Sequence, residues 1–202
     1  VQKSPDGLAQ AFLIAEDFLD NSPSVLILGD NLYHGNDLGP QLVKANNDYD
    51  SSTIFVYPVS DPERYGVAEF KDNKVINLYE KPKKPKSRYA VTGLYFYDNT
   101  VVQKAKTIKP SERGELEITS LNNLYLEENN LKVEVMGRGV AWLDTGTFDS
   151  LHQAGTYIRV LESRQGLKVG CPEEVAWRKG WINDNTLKKL SNQMIKSGYG
   201  KY

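Results

Sequence analysis

Two carboxylates in this sequence each follow a short apolar segment that is typical of a strand. Asp30 follows residues 25–29, Val-Leu-Ile-Leu-Gly, and Asp144 follows the apolar pair Trp142 and Leu143. In open α/β sheets, ligands bind at the carboxyl ends of the strands. Carboxylate oxygens there can hold Mg²⁺, which prefers oxygen ligands and brings substrate phosphates with it. The pattern therefore indicates a magnesium site made by Asp30 and Asp144.

Each carboxylate also has a purely structural interpretation. Asp30 could cap the turn that follows its strand. Asp144 or Thr147 could be the N-cap of the helix that follows. These interpretations stay open at the level of sequence.

Two further segments carry charges that suit a sugar phosphate. Lys81 offers a compact positive charge for a phosphate, and Glu80 beside it can accept hydrogen bonds from sugar hydroxyls. Arg113 precedes a predicted helix and could reach a phosphate, and Gly66 lets a ligand approach the backbone. Each segment also has a structural alternative. Glu80 and Lys81 could be a solvated ion pair, and the acids after Arg113 could lie in the first turn of the helix and favour its dipole. Gly66 could belong to a turn that enters a strand.

Three other patterns are weaker. His34 and His152 lie far apart with no third ligand at zinc spacing, so we expect no zinc site. Cys171 precedes a proline and has no evident base, so we expect no cysteine nucleophile. Residues 48–50, Asp-Tyr-Asp, resemble the Asp-x-Asp of metal-dependent glycosyltransferases, but they lie in a polar stretch and do not follow an apolar strand.

Strands and helices alternate through the first two-thirds of the sequence. Apolar segments predict strands at residues 25–28, 53–57, 89–97, 131–136 and 140–143, and a hairpin at 67–79. Helical spacing predicts helices at residues 8–19, 115–128, 147–161, 173–179 and 186–195. This alternation favours a layered α/β fold, in which the continuous apolar segment 25–28 is a parallel strand covered on both faces.

Composition narrows the classes of function. The chain has 202 residues, 25 basic against 26 acidic side chains, and ordinary hydrophobic and charged fractions of 40% and 25%. We therefore expect one domain that binds neither nucleic acid nor membranes through a general charge excess. One cysteine excludes an internal disulfide and fits a reducing, cytoplasmic setting. We find no signal peptide and no apolar stretch long enough to span a bilayer.

The motifs occur together, and in an order that resembles the glucose-1-phosphate thymidylyltransferases, a group of sugar nucleotidyltransferases, over nearly the whole chain. The matching segments are 4–11 (Ser-Pro-Asp-Gly-Leu-Ala-Gln-Ala), 28–31 (Leu-Gly-Asp-Asn), 61–67 (Asp-Pro-Glu-Arg-Tyr-Gly-Val), 80–82 (Glu-Lys-Pro), 91–97 (Val-Thr-Gly-Leu-Tyr-Phe-Tyr), 113–119 (Arg-Gly-Glu-Leu-Glu-Ile-Thr), 142–147 (Trp-Leu-Asp-Thr-Gly-Thr), 164–169 (Arg-Gln-Gly-Leu-Lys-Val) and 171–174 (Cys-Pro-Glu-Glu).

The resemblance implies a Rossmann-like nucleotidyltransferase sandwich. Its mixed, mostly parallel sheet carries a small sugar-side β subdomain and a helical C-terminal tail. We expect a single domain over residues 1–202, with a catalytic core at about 1–160 and a tail for oligomer and allosteric contacts at about 161–202.

The activity implied is thymidylyl transfer from dTTP to glucose 1-phosphate, with Mg²⁺ as cofactor. The products are dTDP-glucose, which feeds dTDP-rhamnose and cell-surface polysaccharides, and pyrophosphate. A homotetramer and feedback by a dTDP-sugar are also implied. Three alternatives stay open: another base or sugar, a metal-dependent glycosyltransferase, and a non-catalytic sugar-nucleotide-binding module.

The resemblance assigns roles position by position. The metal ligands are Asp30 and Asp144, and Gln2 and Gly7 contact the thymine. The residues that line the sugar-nucleotide site are Asn31, Gly66, Glu80 and Val91, and Lys81 holds the sugar phosphate. Tyr65, Arg113 and Trp142 lie near the same pocket, with Arg113 counted among the catalytic residues.

One family feature is missing from the sequence. The family opens with a strand and a glycine-rich loop, Gly-x-Gly-Thr-Arg, followed by a lysine, which together hold the triphosphate. This chain begins at Val1 and contains none of them. We therefore expect that N-terminal strands precede this chain, and that the chain alone is inactive and has an open sheet edge.

Overall fold

The chain forms two compact units in a computed structural model that describes residues 1–48, 50–72 and 74–202. The first unit is Val1–Leu143 and the second is Asp144–Tyr202. The first contains the sheet and most candidate site residues, and the second is helical.

Eight strands occur in the described part of the chain. They are β1 (Ser24–Ile27), β2 (Asn31–His34), β3 (Ser52–Pro58), β4 (Gly66–Lys71), β5 (Lys74–Glu80), β6 (Tyr89–Tyr97), β7 (Leu131–Val135) and β8 (Ala141–Asp144). All the predicted strands are present, and the hairpin predicted at residues 67–79 is the antiparallel pair β4–β5. The short strand β2 was not predicted.

The sheet is mixed, and the α/β fold class is confirmed. Its order is β5-β4-β6-β3-β7, with β1 paired to β6, while β2 and β8 form a separate two-stranded sheet. Strands β3 and β7 run parallel. The pairs β1–β6, β3–β6, β4–β5 and β4–β6 are antiparallel. We expected a mostly parallel sheet, but most of these strand pairs are antiparallel.

Side chains of β3 and β6 alternate between two hydrophobic clusters, one on each face of the sheet. One cluster packs against helices from the first and third quarters of the chain, α1 (Gln10–Ile14), α4 (Val101–Ala105) and α5 (Ile118–Glu127). The other packs against α3 (Leu38–Asn46). Burial on both faces explains why β3 and β6 are apolar at almost every position.

The prediction for strand β1 was only partly correct. The strand exists, but it pairs antiparallel with β6, and Val25 and Ile27 are 45% and 60% exposed. Their partners Phe96 and Leu94 belong to the cluster on the α3 side. In the described residues that cover does not extend over β1, so one of its faces stays open.

The predicted helix at residues 8–19 is divided in two. Helix α1 ends at Ile14, and the short α2 (Glu16–Leu19) starts after Ala15, whose backbone leaves the helical region. The predicted helix at 115–128 begins three residues later, at Ile118, because Glu117 is extended. Helices α3 and α4 were not predicted.

The second unit consists of three helices, α6 (Phe148–Gln165), α7 (Pro172–Arg178) and α8 (Asp184–Gln193). Thr147 caps α6 in a reciprocal capping box with Ser150, and Gly166 ends it in the left-handed conformation. The boundary expected near residue 160 falls inside this helix, whereas the two compact units divide before it. No described helix is long and apolar enough to cross a lipid bilayer.

Candidate functional site

The turn after β1 places Asp30 and Asn31 beside the middle of β6. The side-chain amide of Asn31 donates through Nδ2 to Asp30 Oδ1 over 2.9 Å. The Leu28 amide donates to the Gly93 carbonyl, and the Gly93 amide donates to Asn31 Oδ1 over 3.1 Å. Asp30 is exposed, so its carboxylate can reach a ligand or a cation from the solvent side.

An aromatic group contacts the same oxygen of Asn31. The Trp142 indole donates to Asn31 Oδ1 over 2.6 Å. The Trp142 ring centroid lies 5.1 Å from that of Tyr65 and 6.0 Å from that of Tyr57. Three residues predicted for the sugar side, Asn31, Tyr65 and Trp142, therefore lie together in the first unit.

A second group of predicted residues forms around Glu80. Gly66 pairs with Glu80 in the β4–β5 register. A Cβ on Gly66 would lie 3.2 Å from Thr119 Oγ1, 3.6 Å from Val91 Cβ and 3.8 Å from Glu80 Oε2. Thr119 donates to Glu80 Oε2 over 2.5 Å. Gly66 leaves open the space above this carboxylate that a side chain would fill.

Arg113 lies among carboxylates in this structure. Its guanidinium is 2.9 Å from Glu115, 3.5 Å from Glu117 and 3.6 Å from Glu80. Glu117 is buried and also accepts a hydrogen bond from Ser111 over 2.8 Å. Arg113 is thus held next to the Glu80 group, and its partly exposed head can still meet an anion.

Lys81 has an unusual backbone. Its φ is 40°, in the left-handed region that is uncommon for residues other than glycine, asparagine and aspartate. Its amide donates to the Tyr65 carbonyl over 3.1 Å, which ties it to the turn before Gly66. Within the described residues its ammonium group has no carboxylate within ion-pair distance, and the side chain is exposed. Such strain occurs preferentially at functional positions.

Gln2 and Gly7 form a third group near the start of the chain. The Gln2 amide donates to the Gly7 carbonyl over 3.1 Å. Gly7 has a φ of 105°, and a side chain there would collide with the Leu116 backbone. Hydrogen bonds from Ser4 and Gln10 lower the pKa of Asp6, so this turn keeps a charged carboxylate at neutral pH.

The segment that carries Arg113 connects the Gln2–Gly7 turn with the group of residues around Glu80. The Leu116 amide donates to the Asp6 carbonyl over 2.7 Å, and the Ala9 amide donates to the Leu116 carbonyl over 3.2 Å. The Gln2–Gly7 turn is therefore bonded to residues 111–117, and these reach Glu80 through Arg113.

Asp144 begins the second unit, and its carboxylate lies close to Gly146. A Cβ on Gly146 would lie 3.4 Å from both of its oxygens. The alternative interpretation of Thr147 as an N-cap is confirmed. Joint metal binding by Asp30 and Asp144 stays a prediction.

The oxygen donors fit magnesium. No group of three or more carboxylate, histidine or cysteine side chains among the described residues could enclose a metal ion. Mg²⁺ does not need such an enclosure, since it commonly takes one or two carboxylates and completes its shell with water and substrate phosphates. The exposed Asp30 carboxylate suits that mode of binding.

Asp48 of the Asp-Tyr-Asp segment is engaged elsewhere. It forms an ion pair with Lys132, and this hydrogen bond lowers the pKa of Asp48. Tyr49 lies outside the described residues. The pairing with Lys132 engages the first carboxylate of this segment.

Three residues of this region had no role in the sequence analysis. Gly93 receives the Asn31 turn, Thr119 holds Glu80, and Tyr33 donates to Asn31 Oδ1 over 3.4 Å. Burial raises the pKa of the Tyr33 phenol well above its usual value, so the hydroxyl keeps its proton. The glycine within a strand was the one available signal, because such glycines mark bulges or close approaches of backbone.

The chain matches the nucleotidyl transferase family over residues 1–159. It is similar over its full length to glucose-1-phosphate thymidylyltransferases of several bacteria. It is 55% identical to that of Xanthomonas campestris pv. campestris, 54% to that of Mycolicibacterium smegmatis and 50% to that of Neisseria meningitidis. The chain spans 69% to 70% of the length of these relatives.

Solved structures give the same relation. A crystal structure of a Bacillus anthracis protein described as a glucose-1-phosphate thymidylyltransferase, in complex with sucrose, superposes with a TM-score of 0.70 at 44% identity. The match covers 78% of this chain and 63% of that one. A UDP-glucose pyrophosphorylase complexed with UDP-glucose shares the fold at 23% identity and a TM-score of 0.66. This chain belongs to the nucleotidyl transferase family and, within it, to the glucose-1-phosphate thymidylyltransferases.

Proposed function

We propose that the protein transfers a thymidylyl group from dTTP to glucose 1-phosphate, giving dTDP-glucose and pyrophosphate. The observation that carries the proposal is the 55% identity over the whole chain to a protein of that activity. The grouping of Gly66, Glu80 and Val91 supports it, since the family resemblance assigns all three residues to the sugar-nucleotide site.

Glucose binding is assigned to the Glu80 group. A carboxylate accepts hydrogen bonds from sugar hydroxyls. Thr119 fixes Glu80 Oε2, while Oε1 lies 3.6 Å from the Arg113 guanidinium and keeps lone pairs for a sugar hydroxyl. Lys81, next in the chain, supplies a positive charge for the sugar phosphate. The left-handed backbone of Lys81 turns the chain at this point, which supports a role for its side chain.

Thymine binding is assigned to the turn with Gln2 and Gly7. A side-chain amide offers both a donor and an acceptor, which the edge of thymine requires. The backbone at Gly7 is free of a Cβ, and its φ of 105° is one that other residues adopt with strain. The bonds from Leu116 to this turn hold it in place before any nucleotide arrives.

Phosphoryl transfer itself needs positioning and charge neutralisation more than covalent chemistry. Lys81 orients the attacking phosphate of glucose 1-phosphate toward the α-phosphorus of dTTP, and pyrophosphate leaves in line. Mg²⁺, when bound by Asp30 and Asp144, supplies positive charge to the phosphate oxygens. Arg113 adds a further positive charge near the sugar side.

The wider setting follows the resemblance. We place the product in the supply of dTDP-rhamnose for cell-surface polysaccharides, in the cytoplasm. We also expect a homotetramer and feedback by a dTDP-sugar at the helical tail, which sedimentation with and without the nucleotide sugar would test.

The experiment uses the full-length enzyme, by which we mean this chain together with the glycine-rich segment expected before it. Pyrophosphate release from glucose 1-phosphate is measured with dTTP, UTP and CTP. We expect dTTP to give the highest kcat/KM. A preference for UTP or CTP would replace the thymidylyl assignment, and release of a nucleoside diphosphate would indicate a glycosyltransferase.

A further inference from the structure

Asn31 Oδ1 is an unusually crowded acceptor. Three donors converge on it: the Trp142 indole at 2.6 Å, the Gly93 amide at 3.1 Å and the Tyr33 hydroxyl at 3.4 Å. A carbonyl oxygen has two lone pairs, so these donors occupy its capacity. This oxygen therefore faces the protein, and a bound sugar nucleotide has little of it left to use.

The chemistry of the donors fixes which way the amide points. An indole N–H and a backbone N–H can donate but cannot accept. The atom that meets both must be the oxygen of Asn31, and this excludes the flipped amide. The NH₂ group must then face the opposite way, where it donates to Asp30 Oδ1 over 2.9 Å.

Gly93 makes this arrangement possible through the shape of β6. Strand β3 pairs Ile54 with Tyr95 but Val56 with Val91, so β6 carries two extra residues opposite Phe55. This bulge contains Gly93 and turns its amide toward Asn31. A Cβ on Gly93 would come within 2.8 Å of the Asn31 side chain and 2.7 Å of the Leu28 side chain.

We propose that Trp142 and Gly93 are positioning residues that act through Asn31: they fix its oxygen, so that its NH₂ group orients the Asp30 carboxylate for the metal–phosphate contact. This inference rests on the proposed function, because it concerns the same magnesium ligand. Asn31 then serves the ligand as a donor, to an acceptor oxygen of a phosphate or sugar, and not as an acceptor.

The first test is spectroscopic and does not depend on turnover. The sequence has three tryptophans. We expect the Trp142 indole proton to resonate far downfield in ¹⁵N-labelled protein and to move upfield in Asn31→Ala. The Trp177 indole, which donates to Asp184 over 2.8 Å, should not move and serves as the internal reference. A Trp142 resonance unchanged by Asn31→Ala would overturn the proposal.

The second test measures metal binding with Mn²⁺ as the probe, counted by the electron paramagnetic resonance of the free ion in the full-length enzyme. Trp142→Phe keeps a ring but removes the donor, and the loss of one hydrogen bond predicts roughly a 2- to 10-fold weaker Mn²⁺ affinity. Gly93→Ala should weaken it in the same direction. Trp177→Phe is the matched control, since it also removes a bonded indole N–H, and it should bind as wild type does.

The outcomes separate this inference from the proposed function. Equal Mn²⁺ affinity in wild type and Trp142→Phe would overturn the positioning role, as would a wild-type enzyme that binds no Mn²⁺. A third outcome is a wild type that binds Mn²⁺ and a Trp142→Phe variant that binds it more weakly, with no pyrophosphate release from dTTP by the wild type. That outcome would support the positioning role and contradict only the proposed thymidylyl transfer.

Discussion

At the scale of single residues, the candidate binding residues are oriented by hydrogen bonds from neighbouring polar side chains. Thr119 lies in the first turn of α5, is 6% exposed, and donates to Glu80. Glu80 was predicted from its chemistry and its resemblance to the family motif. Thr119 was not, because a threonine at the second position of a helix has no distinguishing pattern in the sequence, and Glu80 lies 39 positions away along the chain.

Thr119→Val tests the hold on Glu80. The valine keeps the shape but removes the donor, so Glu80 loses a hydrogen bond worth about 1 kcal/mol. We expect roughly a 5-fold rise in KM for glucose 1-phosphate, with KM for dTTP little changed. Steady-state kinetics of the full-length enzyme measures both. Thr107→Val, which removes a surface hydroxyl bonded to the Lys104 carbonyl, is the control, and equal effects of the two variants would refute the assignment.

Lys81→Gly should separate stability from activity. Glycine tolerates the left-handed backbone, which costs other residues about 1–2 kcal/mol, but it also gains entropy in the unfolded chain. We expect an unfolding free energy equal to wild type or higher by up to about 1 kcal/mol, with a large loss of kcat/KM. Urea unfolding and pyrophosphate release are the measurements. A variant that is clearly less stable, or that keeps full turnover, would show that Lys81 has a different role.

At the scale of elements, hydrophobic pattern predicted which segments are strands but not how they pair. Strands β3 and β6 were predicted as strands, and helices cover both of their faces. Residues 25–28 carry the same pattern, yet Val25 and Ile27 are exposed in the described chain. The apolar pattern of a segment predicts that its side chains are buried. The elements that bury them come from other parts of the chain, so the local pattern does not identify them.

Helix prediction failed where apolar spacing was short or interrupted. The apolar stripe of residues 8–19 continues through Ala15, but the backbone leaves the helical region there, so two short helices form. Helix α3 contains a glycine and a proline near its start, which hid its pattern. In α3, packing of Leu38, Leu42 and Ala45 in the second hydrophobic cluster outweighs this weak local propensity.

The turn at Gly7 gives an element-scale prediction. Its left-handed φ and the Leu116 backbone beside it leave no room for a side chain. We expect Gly7→Ala to lower the unfolding free energy by about 1–3 kcal/mol. Gly39→Ala in α3 is the control, because a Cβ there meets nothing within 4 Å. Urea denaturation of both variants measures the difference, and equal stability would refute the steric argument.

At the scale of the whole molecule, the chain consists of a sheet unit and a helical unit. In the helical unit, the C-terminal residues return to α7. Tyr199 donates to Glu173, and Tyr202 donates to Glu174 over 2.9 Å. Lys168 also forms an ion pair with Glu162 near the end of α6. The family resemblance placed a helical tail here, but these contacts could not be read from composition.

The helical unit should lose stability in acid. The hydrogen bond from the Tyr199 hydroxyl lowers the pKa of Glu173 from its ordinary value, and the hydrogen bond from Lys168 lowers the pKa of Glu162. Carboxylates with a lowered pKa stabilise the fold above their unfolded-state value and lose that contribution as the pH falls through the folded-state value. We expect the amide protection factors in α7, measured against the intrinsic exchange rate at each pH, to fall as the pH falls through the folded-state pKa of Glu173. Glu173→Gln should reduce this pH dependence, and an unchanged profile would contradict the assignment.

The most direct measurement of the central claim is turnover by the full-length enzyme with dTTP and glucose 1-phosphate, compared with its Glu80→Gln variant. We expect the wild type to release pyrophosphate and form dTDP-glucose in equal amounts. The variant should lose kcat/KM for glucose 1-phosphate by at least about 10-fold, because a charged hydrogen-bond acceptor is worth roughly 1.5–3 kcal/mol. A full-length enzyme that forms no dTDP-glucose, or a variant as active as wild type, would contradict the account.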